Sequence, residues 1–484
     1  MSYHLLTYSV LFLPIVILLY QLAPAKARWV VMLASDYTFF CLISGKLIVW
    51  LLAATLVTYV TGLMLERFGR KRYIVLTGVM INLLLLIALK YIGVFGLSFV
   101  APIGISYYTL QAIAYMTDVY RGTIKAERKI AKIALYLSFF PQIMEGPISR
   151  FSETAESLYA GNDISFENLV YGYQRIIWGL FKKMLIADRL APLVSKVFSH
   201  SDNYDGSAIC LAMLCYTMQL YMEFSGCMDI VMGSGEIFGV KLPENFRQPF
   251  FAKNAGDFWH RWHITLGTWL KDYIFYPISL AKPVKKLAKK VKLKAGIGVS
   301  KFVAPTIALF FVWITNGLWH GPKGTYIFYG MYYFVLIFIE NITEAPLKKL
   351  KARINIKEES TGNRIFTFVK LFLIVNVGEL FFRSDSVKAG VSMIRSMVTD
   401  FHITRLTDIT LGVDIYDMLL AAICIILVFA VDVIHERGVS IREKLAGMRL
   451  PVRWGVWYAV ILMIVIFGAY GAGYTMVDMI YAAY

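Results

Sequence analysis

An all-α, polytopic membrane protein is what this sequence encodes, and three features point there. Apolar residues make up 58% of the 484 and charged residues only 17%, against about 25% charged in an ordinary soluble domain. Mean hydropathy is +0.61, which leaves too little polar surface to cover a globule of this size. Apolar stretches of roughly 20 residues, the length that crosses a bilayer core as a helix, recur along the chain. A soluble enzyme, a disordered chain and a fibrous protein are thereby excluded. The aromatic content of 15% fits helical spans with interfacial belts.

Taken in order, clear spans are predicted at about 5–22, 29–44, 46–65, 73–92, 97–119, 301–319, 325–341, 365–382, 416–434 and 455–479. Residues 1–27 contain a small-residue stretch at Ala23-Pro24-Ala25 but lack a positive start. They read as an uncleaved first span with its N-terminus outside. Residues 130–148, 168–196 and 207–240 are apolar but interrupted by Gly, Pro and charge. Residues 255–280 are aromatic-rich yet carry Asp257, Arg261, Lys271 and Asp272. These four segments are expected to be short, broken or re-entrant helices. Such helices survive in lipid only when buried in protein or lining a cavity, so the middle third is where a site is sought. With no internal repeat and no linker, a single membrane domain over 1–484 is expected. Its parts are N-terminal helices at 1–120, a core at 121–345 and C-terminal helices at 346–484.

The net charge of +17 comes from 49 Lys+Arg against 32 Asp+Glu. Its clusters sit between hydrophobic segments, at 67–72, 121–132, 348–353 and 437–453. The densest run holds Lys282, Lys285, Lys286, Lys289, Lys290, Lys292, Lys294 and Lys301. All are expected on the cytoplasmic side, which leaves the loop 383–415 and the C-terminus outside. A basic run could bind nucleic acid, but no binding module surrounds this one. A cytoplasmic loop at the anionic membrane surface is the expectation. The five cysteines lie in apolar stretches without a C-x-x-C pair and read as small buried hydrophobes.

Ionisable residues at membrane depth are expensive and mark function by default. His320 ends an apolar helix at Gly321-Pro322, beside Asn316 and Trp319. Burial there favours neutral imidazole, which can take a proton from a hydroxyl and hand it to a leaving thiolate. A helix-capping histidine at the interface would look the same. His260 and His263, at i,i+3 spacing, share a helical face. With His320 and the carboxylates Asp257 or Asp272 they could hold a metal, pack a Trp-rich interfacial helix, or handle protons. Glu223 and Asp229 suit either proton coupling in a transporter or hydrogen-bonded helix packing, and Glu145 is similar. The G-x-S-x-G elbow, the P-loop and the dinucleotide fingerprint are missing.

Several stretches occur in a recognisable order. They run from Pro102 to Gln111, Asp118 to Gly122, Phe140 to Phe151, Gly179 to Lys183, Phe224 to Gly226 and Leu242 to Phe246. Phe258-Trp259, Arg261-Trp262-His263-Ile264, Thr268 to Tyr273, Gly317 to Gly321 and Phe381 to Arg383 follow. The ordered set resembles the membrane-bound O-acyltransferase (MBOAT) family, and looks most like the branch of the bacterial alginate O-acetylation membrane subunit.

The resemblance implies a fold of about 11 transmembrane helices with short re-entrant helices around a central tunnel. It implies His320 as the catalytic histidine and His263 as the second signature position. His260 stands where relatives usually carry another polar residue, so a three-histidine metal site is not expected. Asn316, Trp319, Arg261 and Asp272 are the expected substrate-contacting residues. No tightly bound cofactor and no metal are expected. The implied activity is O-acyl transfer, most simply O-acetyl transfer, in the bacterial cytoplasmic membrane. A cytoplasmic acyl thioester, acetyl-CoA, would be the donor and the Lys-rich run could attract its phosphates. The expected partners are an extracytoplasmic serine acyltransferase- or esterase-like protein, a glycan acceptor and membrane lipid, with no nucleic acid. Two rivals remain. One is D-alanyl transfer to teichoic acid from a carrier-protein thioester. The other, from a different class, is a proton-coupled transporter.

Overall fold

The computed structural model describes residues 7–91, 101–354, 357, 360–403 and 411–470. His4, both predicted chain-end placements, and parts of the predicted spans 5–22, 97–119 and 455–479 and of the loop 383–415 lie outside them. Among the described residues all regular structure is helical, apart from one isolated bridge between Phe246 and Trp262. Among the described residues eight helices are long and apolar enough to cross a membrane: Ala25–Arg67, Arg72–Tyr91, Gly206–Ile237, Lys282–His320, Gly324–Arg353, Thr361–Arg383, Ile415–Glu436 and Leu450–Phe467. Leu56, Leu84, Leu373 and Ile426 on these helices are exposed, as expected where lipid is the solvent. The chain divides into two compact units. One comprises Met1–Asp188, Tyr221–Glu244 and Ser440–Tyr484, the other Arg189–Leu220 and Asn245–Val439.

In the first unit a glycine seam sets the packing. A Cβ on Gly172 would meet the Gly233 carbonyl oxygen at 2.5 Å, and one on Gly179 the Gly226 oxygen at 2.4 Å. The two glycines on each helix are seven residues apart, so both pairs fall on one face and the backbones run against each other. This approach brings Lys182 and Lys183 onto the carboxylates of the opposite helix. Lys182 Nζ lies 2.5 Å from Asp229 Oδ2, and Arg175 Nε 3.1 Å from Asp229 Oδ1. Lys183 Nζ, fully buried, reaches Asp188 at 2.7 Å and Glu223 at 3.2 Å. The prediction of a broken helix over 207–240 is therefore corrected. Gly206–Ile237 is one continuous 32-residue helix. Its glycines admit a neighbouring backbone instead of breaking the ladder, and its acids are neutralised across the seam. The segment 130–148 does break, after Ser138. There the buried Asp36 carboxylate accepts the Phe140 N–H at 2.7 Å and the Ser138 hydroxyl at 3.2 Å.

In the second unit Lys282–His320 and Gly324–Arg353 form a helical hairpin. A Cβ on Gly317 would meet the Tyr326 oxygen at 2.6 Å, and one on Gly330 the Trp313 oxygen at 2.3 Å. The lysine run, expected as a loop, is helical. Lys, Ala and Leu all favour helix, and Gly296, at φ 80, separates this arm from the apolar span. The Ser300 hydroxyl donates to the Ala288 carbonyl at 2.8 Å, although a straight helix would hold these residues roughly 18 Å apart. The arm is thus folded back. Residues 255–280 are short pieces, as expected: Ala255–Arg261, Ile264–Leu270, the π turn Lys271–Phe275 and Tyr276–Ser279.

Candidate active site

His320 is the last residue of its helix because Gly321-Pro322 cannot continue it. Asn316 lies one turn earlier on the same face. The close hairpin sets Tyr326 and Tyr329 beside the imidazole, with ring centroids 6.0 and 6.4 Å away. Phe382 stands edge-on at 4.9 Å and Trp319 at 5.0 Å. These rings leave His320 only 3% exposed.

His263 reaches the same tryptophan from another direction, 5.8 Å from the Trp319 ring. It sits between two short helices at φ 48 and ψ 50, a left-handed conformation uncommon outside glycine. Local contacts hold it there. The segment beginning at Asn245 runs antiparallel to Arg261–His263, bridged at Phe246 and Trp262. The Arg247 N–H donates to the Arg261 carbonyl at 2.9 Å and the Ile264 N–H to the Asn245 carbonyl at 3.0 Å. Upstream, the Asn254 side chain caps Ala255–Arg261 by accepting the Asp257 N–H at 2.7 Å. Glu340 accepts the Ala255 and Gly256 N–H groups at 3.0 and 3.3 Å, a carboxylate at the positive end of a helix.

Asn245 also fixes the proton on His263. Its Oδ1 accepts the Thr265 N–H at 3.1 Å and the Thr265 hydroxyl at 2.9 Å. A backbone N–H can only donate, so this atom is the amide oxygen. His263 Nδ1, 3.2 Å from the same oxygen, must then carry the hydrogen. Nε2 keeps the lone pair. His263 lies outside the eight candidate spans, and burial pushes its pKa down from 6.5 to about 3. The unfolded chain protonates this histidine below about pH 6.5 and the folded chain does not until about pH 3, so its contribution to stability is complete above 6.5 and is lost as pH falls between the two values. In His263→Asn the amide N–H replaces Nδ1–H, and Asn tolerates a positive φ. The unfolding free energy of the wild type relative to His263→Asn should fall by about 1.4 kcal/mol per pH unit below the unfolded value. Parallel pH dependences in detergent would contradict this account.

Asn316 is 3% exposed, and its Oδ1 accepts no hydrogen bond among the described residues. A buried acceptor of this kind is costly in a purely structural position and suits a site that receives a donor. Trp319 is half-buried between the two imidazoles' contacts. Arg261 is engaged by Glu436 at 2.8 Å and Asp257 at 3.3 Å. Asp272 is half-buried in the π turn, and His260 is exposed. Glu145, Glu223 and Asp229 belong to the first unit. Sequence reasoning missed Glu379 and Tyr329. The Tyr329 hydroxyl donates to Glu379 Oε1 at 2.8 Å. Glu379 was detectable as the one carboxylate of the predicted span 365–382. Tyr329 had no signal among its tyrosine neighbours. Two buried imidazoles, an amide acceptor and aromatic rings make a water-poor cluster suited to moving a proton off a hydroxyl.

The family model of the membrane-bound O-acyltransferases matches residues 127–375, more than half of the chain. The chain belongs to this family. The probable alginate O-acetylase AlgI of Azotobacter vinelandii is 30% identical over 409 residues, covering 80% of this chain and 76% of the relative. The peptidoglycan O-acetyltransferase of Helicobacter pylori is 27% identical over 436 residues, covering 80% and 78%. The teichoic acid D-alanyltransferase of Bacillus subtilis is 31% identical over 251 residues, covering 51% and 61%. This MBOAT protein is of the AlgI-like type, a multi-pass membrane O-acyltransferase. The matched region includes both buried histidines, Asn316 and the Asn245 clamp.

Proposed function

We propose that the protein moves an acetyl group from a cytoplasmic thioester, acetyl-CoA, toward O-acetylation of an extracytoplasmic polysaccharide, with His320 as the base. The meeting of His263 and His320 at Trp319 is the observation that carries this reading. His320 takes the proton of the acceptor hydroxyl while that oxygen bonds to the thioester carbonyl carbon. The C–S bond then breaks, and the imidazolium returns the proton to the leaving thiolate. His263, held by Asn245 with its lone pair on Nε2, orients the acceptor or the thioester. Asn316 receives an N–H or O–H of the bound substrate. The lysine arm draws the donor's phosphates. A membrane-anchored serine acyltransferase- or esterase-like partner takes the acyl group onward to the glycan.

The likeness to the D-alanyltransferase of Bacillus subtilis supports a second reading, D-alanyl transfer from a carrier-protein thioester to teichoic acid. The two are separated by measuring base-releasable acetate and D-alanine on surface and secreted glycans of cells with and without the gene. Loss of acetate alone in the deletion strain is expected. Loss of D-alanine alone would replace the first reading with the second, and loss of neither would overturn both.

A further inference from the structure

Glu379 is the only Asp or Glu of the Thr361–Arg383 helix, and it is 1% exposed. A carboxyl group at this depth is costly unless it is paired or used. The buried acids Asp188, Glu223 and Asp229 each lie against a lysine. Glu379 has no such cation among the described residues. It accepts the Tyr329 hydroxyl at 2.8 Å, and its Oε2 has no hydrogen-bond partner there. Its neighbours are those of the transfer histidine. The Tyr329 ring stands 6.4 Å from the His320 ring at an interplanar angle of 88° and packs on Phe382 at 5.0 Å. Phe382, three residues after Glu379 and hence on the same helical face, is edge-on to His320 at 4.9 Å. The acid therefore grips one wall of the histidine pocket by a hydrogen bond and shares a helix turn with another.

We propose that Glu379 is a positioning residue for acyl transfer. Through the Tyr329 hydroxyl it fixes the rings that hold His320, and it supplies an acidic group one tyrosine ring away from the imidazolium that forms when His320 takes the acceptor's proton. The proton passes from acceptor oxygen to His320 to thiolate, and Glu379 neither gains nor loses one. The arrangement follows the general logic of a base oriented by a third group. The inference rests on His320 being the base.

The test uses isolated membranes holding the full chain at matched levels, with labelled acetyl-CoA as donor and base-labile acetyl product as readout. Glu379→Gln keeps an oxygen for the Tyr329 hydroxyl and removes the acid. It is expected to lower the maximal rate by about 100-fold with KM for acetyl-CoA within about twofold. Tyr329→Phe keeps the ring, removes the donor and should lower the maximal rate in the same way. A wild-type maximal rate in Glu379→Gln, with His320→Ala inactive, overturns the inference alone. If Glu379→Gln fails to accumulate, Tyr329→Phe decides, and a wild-type rate there overturns it. An active His320→Ala overturns the reading beneath it.

Discussion

Replacing His320 by alanine is expected to lower acyl transfer by roughly 10²- to 10⁴-fold, the usual contribution of a positioned general base, while the protein still inserts and folds. The side chain ends its helix, and the break that follows is set by Gly321-Pro322, not by the imidazole. Removing it takes one ring from a cluster whose other members are Trp319, Tyr326, Tyr329 and Phe382. The Gly317 and Gly330 approaches that hold the hairpin do not involve it. Membranes with His320→Ala at wild-type abundance should therefore contain folded, extractable and inactive protein. Full glycan modification by that variant would assign the chemistry to another residue.

Lys183→Met is expected to have the largest effect on folding. The ammonium is fully buried, and its partners Glu223 and Asp188 are 3% and 9% exposed. Removing one partner of a buried ion pair leaves an uncompensated charge and costs about 3–5 kcal/mol, here with two acids deprived at once. The expected result is loss of most extractable protein, and a lower unfolding midpoint in detergent for what remains. Adding Glu223→Gln to Lys183→Met should recover part of the loss by removing one stranded acid. If Lys183→Met is as abundant and as heat-stable as the wild type, the triad has no structural weight.

Which parts of this architecture could be read from the chain depends on the range of the determining contacts. The ten clear spans follow from local composition, and the described parts of all ten are mainly helical, with 29–44 and 46–65 both inside Ala25–Arg67. The short pieces around His263 were legible for the same reason, because Asp257, Arg261, Lys271 and Asp272 interrupt the apolar run. Gly206–Ile237 was misread because glycine ordinarily weakens a helix, whereas here Gly226 and Gly233 meet glycines more than 40 residues away. The pairing of Lys183 with Glu223 is equally remote, so one chain alone could not decide between a packing role and a coupling role for that acid. The histidines were legible as candidates. Their common neighbour Trp319, and the clamp from Asn245 that sets the His263 tautomer, exist only after tertiary folding. The partners of Arg261 divide similarly, since Asp257 is a local helix neighbour and Glu436 is 175 residues away.

The break at Gly296 has a geometric consequence for the helix that carries His320. In one unbroken helix every residue added or removed turns everything beyond it by about 100°, so the bearing of the lysines and the bearing of His320 would be locked together. At Gly296 the backbone leaves helical geometry, at φ 80 and ψ 175, and that lock is released. The azimuth of the lysine face is set by how the arm folds back at Ser300 and Ala288. The azimuth of His320 is set by Gly317 and Gly330. Two directions that a single rod would have to satisfy together are thereby chosen separately.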